Sequence, residues 1–202
     1  MGQKAFCAAI VAALFLSGCG GRFASDYAEE VAPEVSRTWH VMDVRAIVHD
    51  NRTVSDDNVL IPVADIVWHG EPAGDRKAQV AAIVAEGTRA AAAPLSRGRP
   101  VEIHIAVDRF HGVTPVAINR SPAAVHDIVF RIAVVDGRTR EVLVPPERVT
   151  ASLVAHTQTN AILSRLEGQT ERQRIVDHVA EVVAGWLGTG PDARRTFVSL
   201  GY

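Results

Sequence analysis

Residues 101–107 read Val-Glu-Ile-His-Ile-Ala-Val, and this alternation of apolar and polar side chains is the clearest fold signal in the chain. Successive side chains of a β-strand point to opposite faces, so the four branched apolar residues are expected to share one buried face. Residues 128–135 are a second predicted strand, with Ile128, Phe130, Ile132 and Val134 on one face, and Asp136-Gly137 follows as a hairpin turn. The centre of the chain therefore predicts antiparallel β-strands.

Strand-like patterns also occur on both sides of this centre. They cover residues 39–48, 59–68, 141–144 and 149–155. Pro62 lacks a backbone N–H, so the 59–68 segment is expected to form an irregular or edge strand.

Two helices are predicted, one on each side of the central strands. Asp75 caps the first helix, and Pro94 helps to end it. Thr170 and Gln173 form a capping box for the second, which runs from 171 to 187. Consecutive strands joined by a hairpin, with no helix between them, favour antiparallel pairing. We therefore predict an α+β fold: an antiparallel sheet of about four to six strands with two helices packed on one face.

The first residues have the order of a signal peptide. Lys4 supplies a positive charge, and residues 5–16 form an apolar stretch shorter than the roughly 20 residues that a bilayer requires. The stretch ends in Leu16-Ser17-Gly18-Cys19, which resembles the bacterial lipobox. That resemblance implies cleavage after Gly18 and attachment of fatty chains such as palmitate to Cys19. An ordinary secretory signal, or a buried helix with a chance cysteine, is the alternative.

These features divide the chain into three parts. Residues 1–18 are the predicted signal peptide, 19–37 the lipidated cysteine with a flexible tether, and 38–202 a single periplasmic α+β domain. Gly20 stands where an aspartate would resemble the inner-membrane retention signal of enteric bacteria. By that analogy the outer membrane is favoured over the inner membrane.

The mature chain also resembles an uncharacterised family of alphaproteobacterial lipoproteins. Besides the lipobox, the residues that carry the resemblance are Ala64-Asp65-Ile66-Val67-Trp68, Gly74-Asp75-Arg76, Arg109-Phe110-His111 and the Asp136-Gly137 hairpin. The resemblance brings no known activity. In architecture, the predicted domain is distantly similar to the auxiliary lipoproteins of envelope transport and assembly machines.

Charge and motif content argue against several functional classes. The formal net charge is −2, whereas a nucleic-acid-binding protein usually has a basic face or total. Both cysteines, Cys7 and Cys19, lie in the N-terminal segment, so the domain has no thiol. We find no nucleotide-binding loop and no hydrolase nucleophile elbow, and we predict no cofactor.

A metal site is the weaker of two interpretations of the histidines. His104, Asp108 and His111 are close in sequence, and a cluster would need a further donor such as His126 or Asp127. None of them has the spacing of a known metal motif, so a solvated strand face is favoured and no metal is predicted.

The segment Arg109-Phe110-His111 is a candidate recognition loop because it joins a cation and an aromatic ring at a strand end. Trp68 offers a second amphipathic ring near a turn. Core packing plus a loop is the favoured alternative for both, because buried aromatic residues usually serve structure.

Three functions remain open at this stage. The first is a lipid-anchored, non-catalytic envelope protein that binds a protein partner or supports an assembly. The second is a carrier or sensor of a small apolar ligand, which predicts a sizeable apolar cavity. The third is an envelope hydrolase, which requires a nucleophile or a metal site assembled from distant segments.

Overall fold

The computed structural model describes residues 22–198. The predicted signal peptide, Gly18 and Cys19 lie outside the described residues. Within them, the elements follow in this order: β1 (Arg22–Tyr27), α1 (Pro33–Ser36), β2 (Trp39–Val48), β3 (Ile66–Val67), α2 (Arg76–Ala92), β4 (Arg99–His111), α3 (Pro115–Arg120), β5 (Val125–Asp136), β6 (Val142–Ala151), β7 (Leu153–Val154), α4 (Gln158–Leu166), α5 (Glu171–Trp186) and β8 (Arg195–Val198).

The sheet is mixed, with eight strands in the described part of the chain. Its strand order is β2-β4-β5-β6-β1-β8, with β3 paired to β4 and β7 paired to β5. β2 and β3 run parallel to β4, and the other pairs are antiparallel. The combination of helices and a sheet agrees with the prediction. The prediction of an antiparallel sheet of four to six strands with two helices was wrong, because the sheet is mixed and has more strands.

The error has a physical cause in the connection between β2 and β4. Helix α2 lies between them in the chain, and parallel neighbours need such a crossover because a short hairpin cannot join them. Periodicity locates each strand but does not identify its neighbour. The sequence analysis also did not predict three short helices, α1, α3 and α4.

Strand β1 lies within residues 19–37, the segment that was predicted to be a flexible tether. It pairs with β6 and β8, and the Tyr27 ring is buried. Downstream of it, the Val31 N–H donates to the Trp186 carbonyl at 2.7 Å. From residue 22 onward, the segment predicted as a tether is therefore part of the fold.

The long helices α2 and α5 pack on one face of the sheet and against each other. The inward side chains of β4 expected from the alternation, Val101, Ile103, Ile105 and Val107, are all buried, which confirms that prediction. Gly87 of α2 meets α5 closely. A Cβ atom there would lie 2.7 Å from the Val176 carbonyl oxygen and 2.8 Å from the Val179 Cβ.

One end of the sheet collects several chain segments, and we call it the β1 end. Arg22 at the start of β1 is opposite Val198 of β8, and His111 at the end of β4 is opposite Asp127 near the start of β5. Because β2 runs parallel to β4, the long connection after Val48 leaves from the same end.

Candidate functional site

The β1 end carries an exposed apolar loop formed by residues 59–63. Relative exposure is 41% for Val59, 57% for Leu60, 83% for Ile61 and 96% for Val63. The sequence prediction of an edge strand over 59–68 was wrong for this half, because the strand is limited to Ile66–Val67. Pro62 offers no N–H to a sheet, which explains why the ladder does not extend through it.

Hydrogen bonds hold the apolar loop on the fold. The Thr114 hydroxyl donates to the Val59 carbonyl at 2.7 Å, and the Val116 N–H donates to the Asn58 side chain at 2.8 Å. On its other side, the His111 ring Nε2 lies 2.6 Å from the Ala64 carbonyl oxygen. The loop therefore has a defined position although its apolar side chains face outward.

An open cleft of about 570 Å³ lies behind the apolar loop. Its walls are mostly apolar and come from distant parts of the chain, including Phe23 of β1, Leu60 and Pro62 of the loop, and Ala117 of α3. Phe23 also stacks on Phe197 of β8, with the ring centres 6.2 Å apart. The start of β1 and the apolar loop therefore line the same cleft.

Two of the four predicted recognition residues belong to the core. Trp68 and Phe110 are 1% and 0% exposed, and their rings meet edge to face with centres 5.5 Å apart. The Trp68 indole N–H donates to Glu71 at 2.8 Å, so its polar atom has a partner. These contacts support core packing, the favoured alternative for the two rings.

Arg109 and His111 lie closer to the surface. The Arg109 guanidinium forms an ion pair with Asp127 at 2.7 Å, and His111 lines the cleft behind the apolar loop. Of the four residues, His111 is therefore the one that lines the cleft behind the apolar loop. A recognition role for Arg109 and His111 stays a prediction.

The side chains that were considered as metal donors have other partners. Asp108 pairs with Arg52 and Arg131, while His104 contacts Glu102 at 2.9 Å. His126 contacts Glu171 at 2.7 Å. Across residues 22–198, no group of three or more histidine, cysteine or acidic residues is arranged to hold a metal ion.

A buried serine–histidine contact, which the sequence analysis missed, links β1 to α5. The Ser25 Oγ lies 2.9 Å from His178 Nε2, and His178 Nδ1 lies 3.3 Å from Glu181. Ser25 and His178 are 153 positions apart, so no local sequence motif could have predicted their contact.

This arrangement superficially resembles a hydrolytic triad, but its contacts suit a structural role. Two groups lie near His178 Nδ1: the Arg195 guanidinium at 3.2 Å, which can only donate, and the Glu181 carboxylate at 3.3 Å, which can only accept. The Ser25 hydroxyl donates to the Ser152 carbonyl at 3.3 Å. A catalytic serine donates its hydroxyl proton to the histidine and is open to substrate, whereas the Ser25 hydroxyl donates to a backbone carbonyl and the residue is only 1% exposed.

Burial, followed by the nearby Arg195 charge, lowers the pKa of His178 below its usual value of 6.5. The unfolded chain therefore takes up a proton near pH 6.5 while the folded chain does not. We expect the free energy of unfolding to fall as the pH drops below about 6.5. Urea denaturation at about pH 7.5 and pH 5.5 measures this difference.

The matched variant for this prediction is His178→Gln, which removes the titrating ring. It should weaken the pH dependence over that interval, with the contribution of other groups retained. An identical pH dependence in the original protein and the variant would contradict the assignment.

A second buried polar cluster lies near α5. Glu171 contacts both His126 and Arg174, at 2.7 Å and 2.8 Å. Burial raises the pKa of Glu171, but the hydrogen bond and charge of His126, together with the Arg174 charge, lower it overall. The carboxylate therefore stays ionised and joins the start of α5 to β5. An open cleft of about 460 Å³ lined by Trp68, His69 and Glu171 lies beside it.

Among the helices within residues 22–198, none is both long enough and apolar enough to cross a bilayer.

Comparisons with known proteins locate the chain among families and folds. The model of a family of unknown function (DUF6778) matches residues 39–201. No curated protein sequence matches the chain.

Among solved structures, PelC from Paraburkholderia phytofirmans, crystallised as a dodecamer, is 11% identical, with 81% of this chain and 96% of that chain covered and a TM-score of 0.41. A candidate lipoprotein from Caulobacter crescentus is 15% identical, with 54% and 83% covered and a TM-score of 0.34.

Proposed function

The chain belongs to the DUF6778 family of unknown function, and from that premise we propose that it is a lipid-anchored, non-catalytic protein of the cell envelope. Cys19 carries the acyl chains, and the folded domain faces the periplasm, at the outer membrane rather than the inner one. In that position the domain binds a protein partner or supports an assembly.

The lipobox-like residues Leu16-Ser17-Gly18-Cys19 carry this proposal, and their short separation from β1 sets the orientation of the domain. Strand β1 begins at Arg22, three positions after Cys19. Three residues span at most about 11 Å when fully extended. An acyl group on Cys19 therefore holds the β1 end at the membrane surface.

The energetics of the anchor fit a stably membrane-bound protein. Burial of an acyl chain contributes about 0.8 kcal/mol for each methylene group, so one chain binds reversibly and two or more bind firmly. A diacylated Cys19 needs no spanning helix.

The sheet offers a surface for the partner. Helices α2 and α5 pack on one face, and Arg45, Ile47 and Arg131 are exposed on the opposite face. A shallow depression of about 430 Å³ on that face is lined by Ile47, His104, Ala106, Arg131, Ala133 and Pro146. An apolar centre with charged residues at its edge is typical of a surface that binds proteins.

Crosslinking in cells tests the partner proposal. The lipidated protein is crosslinked, extracted in detergent and purified, and we expect a reproducible crosslinked partner. Ile47→Asp places a charge in the depression and should remove that species. Val35→Asp on α1, a similarly exposed site, is the matched control and should leave it unchanged. A protein that is recovered only as an uncrosslinked monomer would refute the partner role.

The carrier hypothesis has one observation in its favour, the apolar cleft of about 570 Å³ at the β1 end. It is open to solvent on the surface, whereas that hypothesis expects an enclosed apolar cavity between the helices and the sheet. The hydrolase hypothesis would depend on Ser25 and His178, whose burial and hydrogen bonds suit a structural contact.

A further inference from the structure

We propose that the apolar loop, residues 59–63, inserts into the bilayer that holds the acylated Cys19, so that the domain contacts the membrane at two points. This inference rests on the proposed lipid anchor and adds a second contact with the membrane, made by side chains of the protein. The surface that the apolar loop binds is a lipid bilayer.

The position of the loop is the first argument. Phe23, four positions after Cys19, lines the same cleft as Leu60 and Ile61. The acyl attachment point therefore lies within a short reach of the loop, since each residue extends at most about 3.6 Å. A membrane that holds Cys19 necessarily lies beside the β1 end.

The chemistry of the loop is the second argument. Ile61 and Val63 are 83% and 96% exposed, which leaves aliphatic side chains almost wholly in water. Neighbouring apolar residues exposed together, rather than scattered singly, mark an interaction site. Aliphatic side chains without charge suit the acyl region of a bilayer.

Helix α4 adds further exposed apolar residues. It follows β7, whose Val154 pairs with Val125 at the start of β5, so it also lies at the β1 end. Its exposed residues Ile162, Leu163 and Leu166 are 59%, 51% and 79% exposed. The exposed arginines Arg120 and Arg165 lie at the same end, where they can contact lipid phosphates.

The hydrogen bonds of Val59 and Asn58 to the segment after β4 supply the third argument. The bond to the Val59 carbonyl and the contact of His111 with the Ala64 carbonyl hold the two ends of the loop, so part of its conformational freedom is already lost before its side chains enter lipid. The loop is therefore already held in the position from which its side chains would enter the bilayer.

A depth measurement tests the inference on the full lipidated protein. Its Cys19 thiol is used in the thioether, so Ile61→Cys provides the only free thiol for an environment-sensitive fluorophore. The control is Met42→Cys, which is similarly exposed but lies beside Gly137 at the opposite end of the sheet. Both side chains are largely exposed, so neither substitution is expected to disturb folding.

The labelled proteins are reconstituted into vesicles of phosphatidylethanolamine and phosphatidylglycerol that contain lipids with spin-labelled acyl chains. We expect the fluorophore at position 61 to be quenched by these lipids at least about threefold more than the one at position 42. Iodide in the water should quench the two positions in the opposite order.

The other outcomes separate this inference from the proposed function. If the protein floats with the vesicles but position 61 is quenched by iodide as strongly as position 42, the anchor stands and loop insertion is refuted. If position 61 is protected from both quenchers, a second copy or another protein covers the loop, and insertion is again refuted. If the protein does not float at all, the lipid anchor itself fails.

Discussion

Replacement of Cys19 by serine is expected to abolish fatty-acid incorporation and cleavage after Gly18. In the proposed anchor the lipid is attached through a thioether, and serine has no sulfur. The variant should accumulate as a precursor that retains residues 1–18 and is longer than the mature protein. Metabolic labelling with an alkyne fatty acid, followed by gel analysis, measures both effects.

The second cysteine provides the matched control for this experiment. Cys7 lies inside the apolar part of the predicted signal peptide and has no role in the lipobox. Cys7→Ser should therefore be labelled and processed like the original protein. If Cys19→Ser is also labelled and cut at the same place, attachment at Cys19 is refuted.

Replacement of Trp68 by alanine is expected to lower the free energy of unfolding by about 3–5 kcal/mol, the usual cost of removing a large buried aromatic ring. The ring is 1% exposed, packs on Phe110 and donates to Glu71. A Cβ on Gly70 or Gly112 would meet the same indole, at 2.2 Å or 2.5 Å, so the surrounding backbone is close-packed on it. Urea denaturation followed by circular dichroism measures the change.

Arg109→Ala is the comparison for this prediction because both residues were candidates for the recognition loop. The ion pair of Arg109 with Asp127 has a half-exposed guanidinium, so its loss should cost less than about 1 kcal/mol. A Trp68→Ala protein as stable as Arg109→Ala would show that the indole is not a core residue, and would revive the recognition hypothesis for it.

Local signals in the sequence predicted the parts of the fold that depend on local chemistry. Asp75 accepts from the Ala78 N–H and Thr170 from the Gln173 N–H, which confirms both predicted N-cap residues. The Gln173 side chain donates to Asp177, so the capping box is found only in its Thr170 half. The alternation of residues 101–107 correctly identified the buried face of β4. These features depend only on residues a few positions apart.

The sequence could not predict contacts that depend on which elements become neighbours. Strand β1 was missed because Ser25 is the polar member of its buried face, and its partner His178 comes from α5. For the same reason the loop at 59–63 looked like strand: its apolar residues have strand propensity, and only the fold shows that they remain exposed.

Intact-mass and peptide analysis of the mature protein by mass spectrometry tests the central claim most directly. The account predicts an N-terminal residue Cys19 whose sulfur carries a diacylglycerol group. An unmodified Cys19, or a mature chain that starts at any other residue, would contradict it.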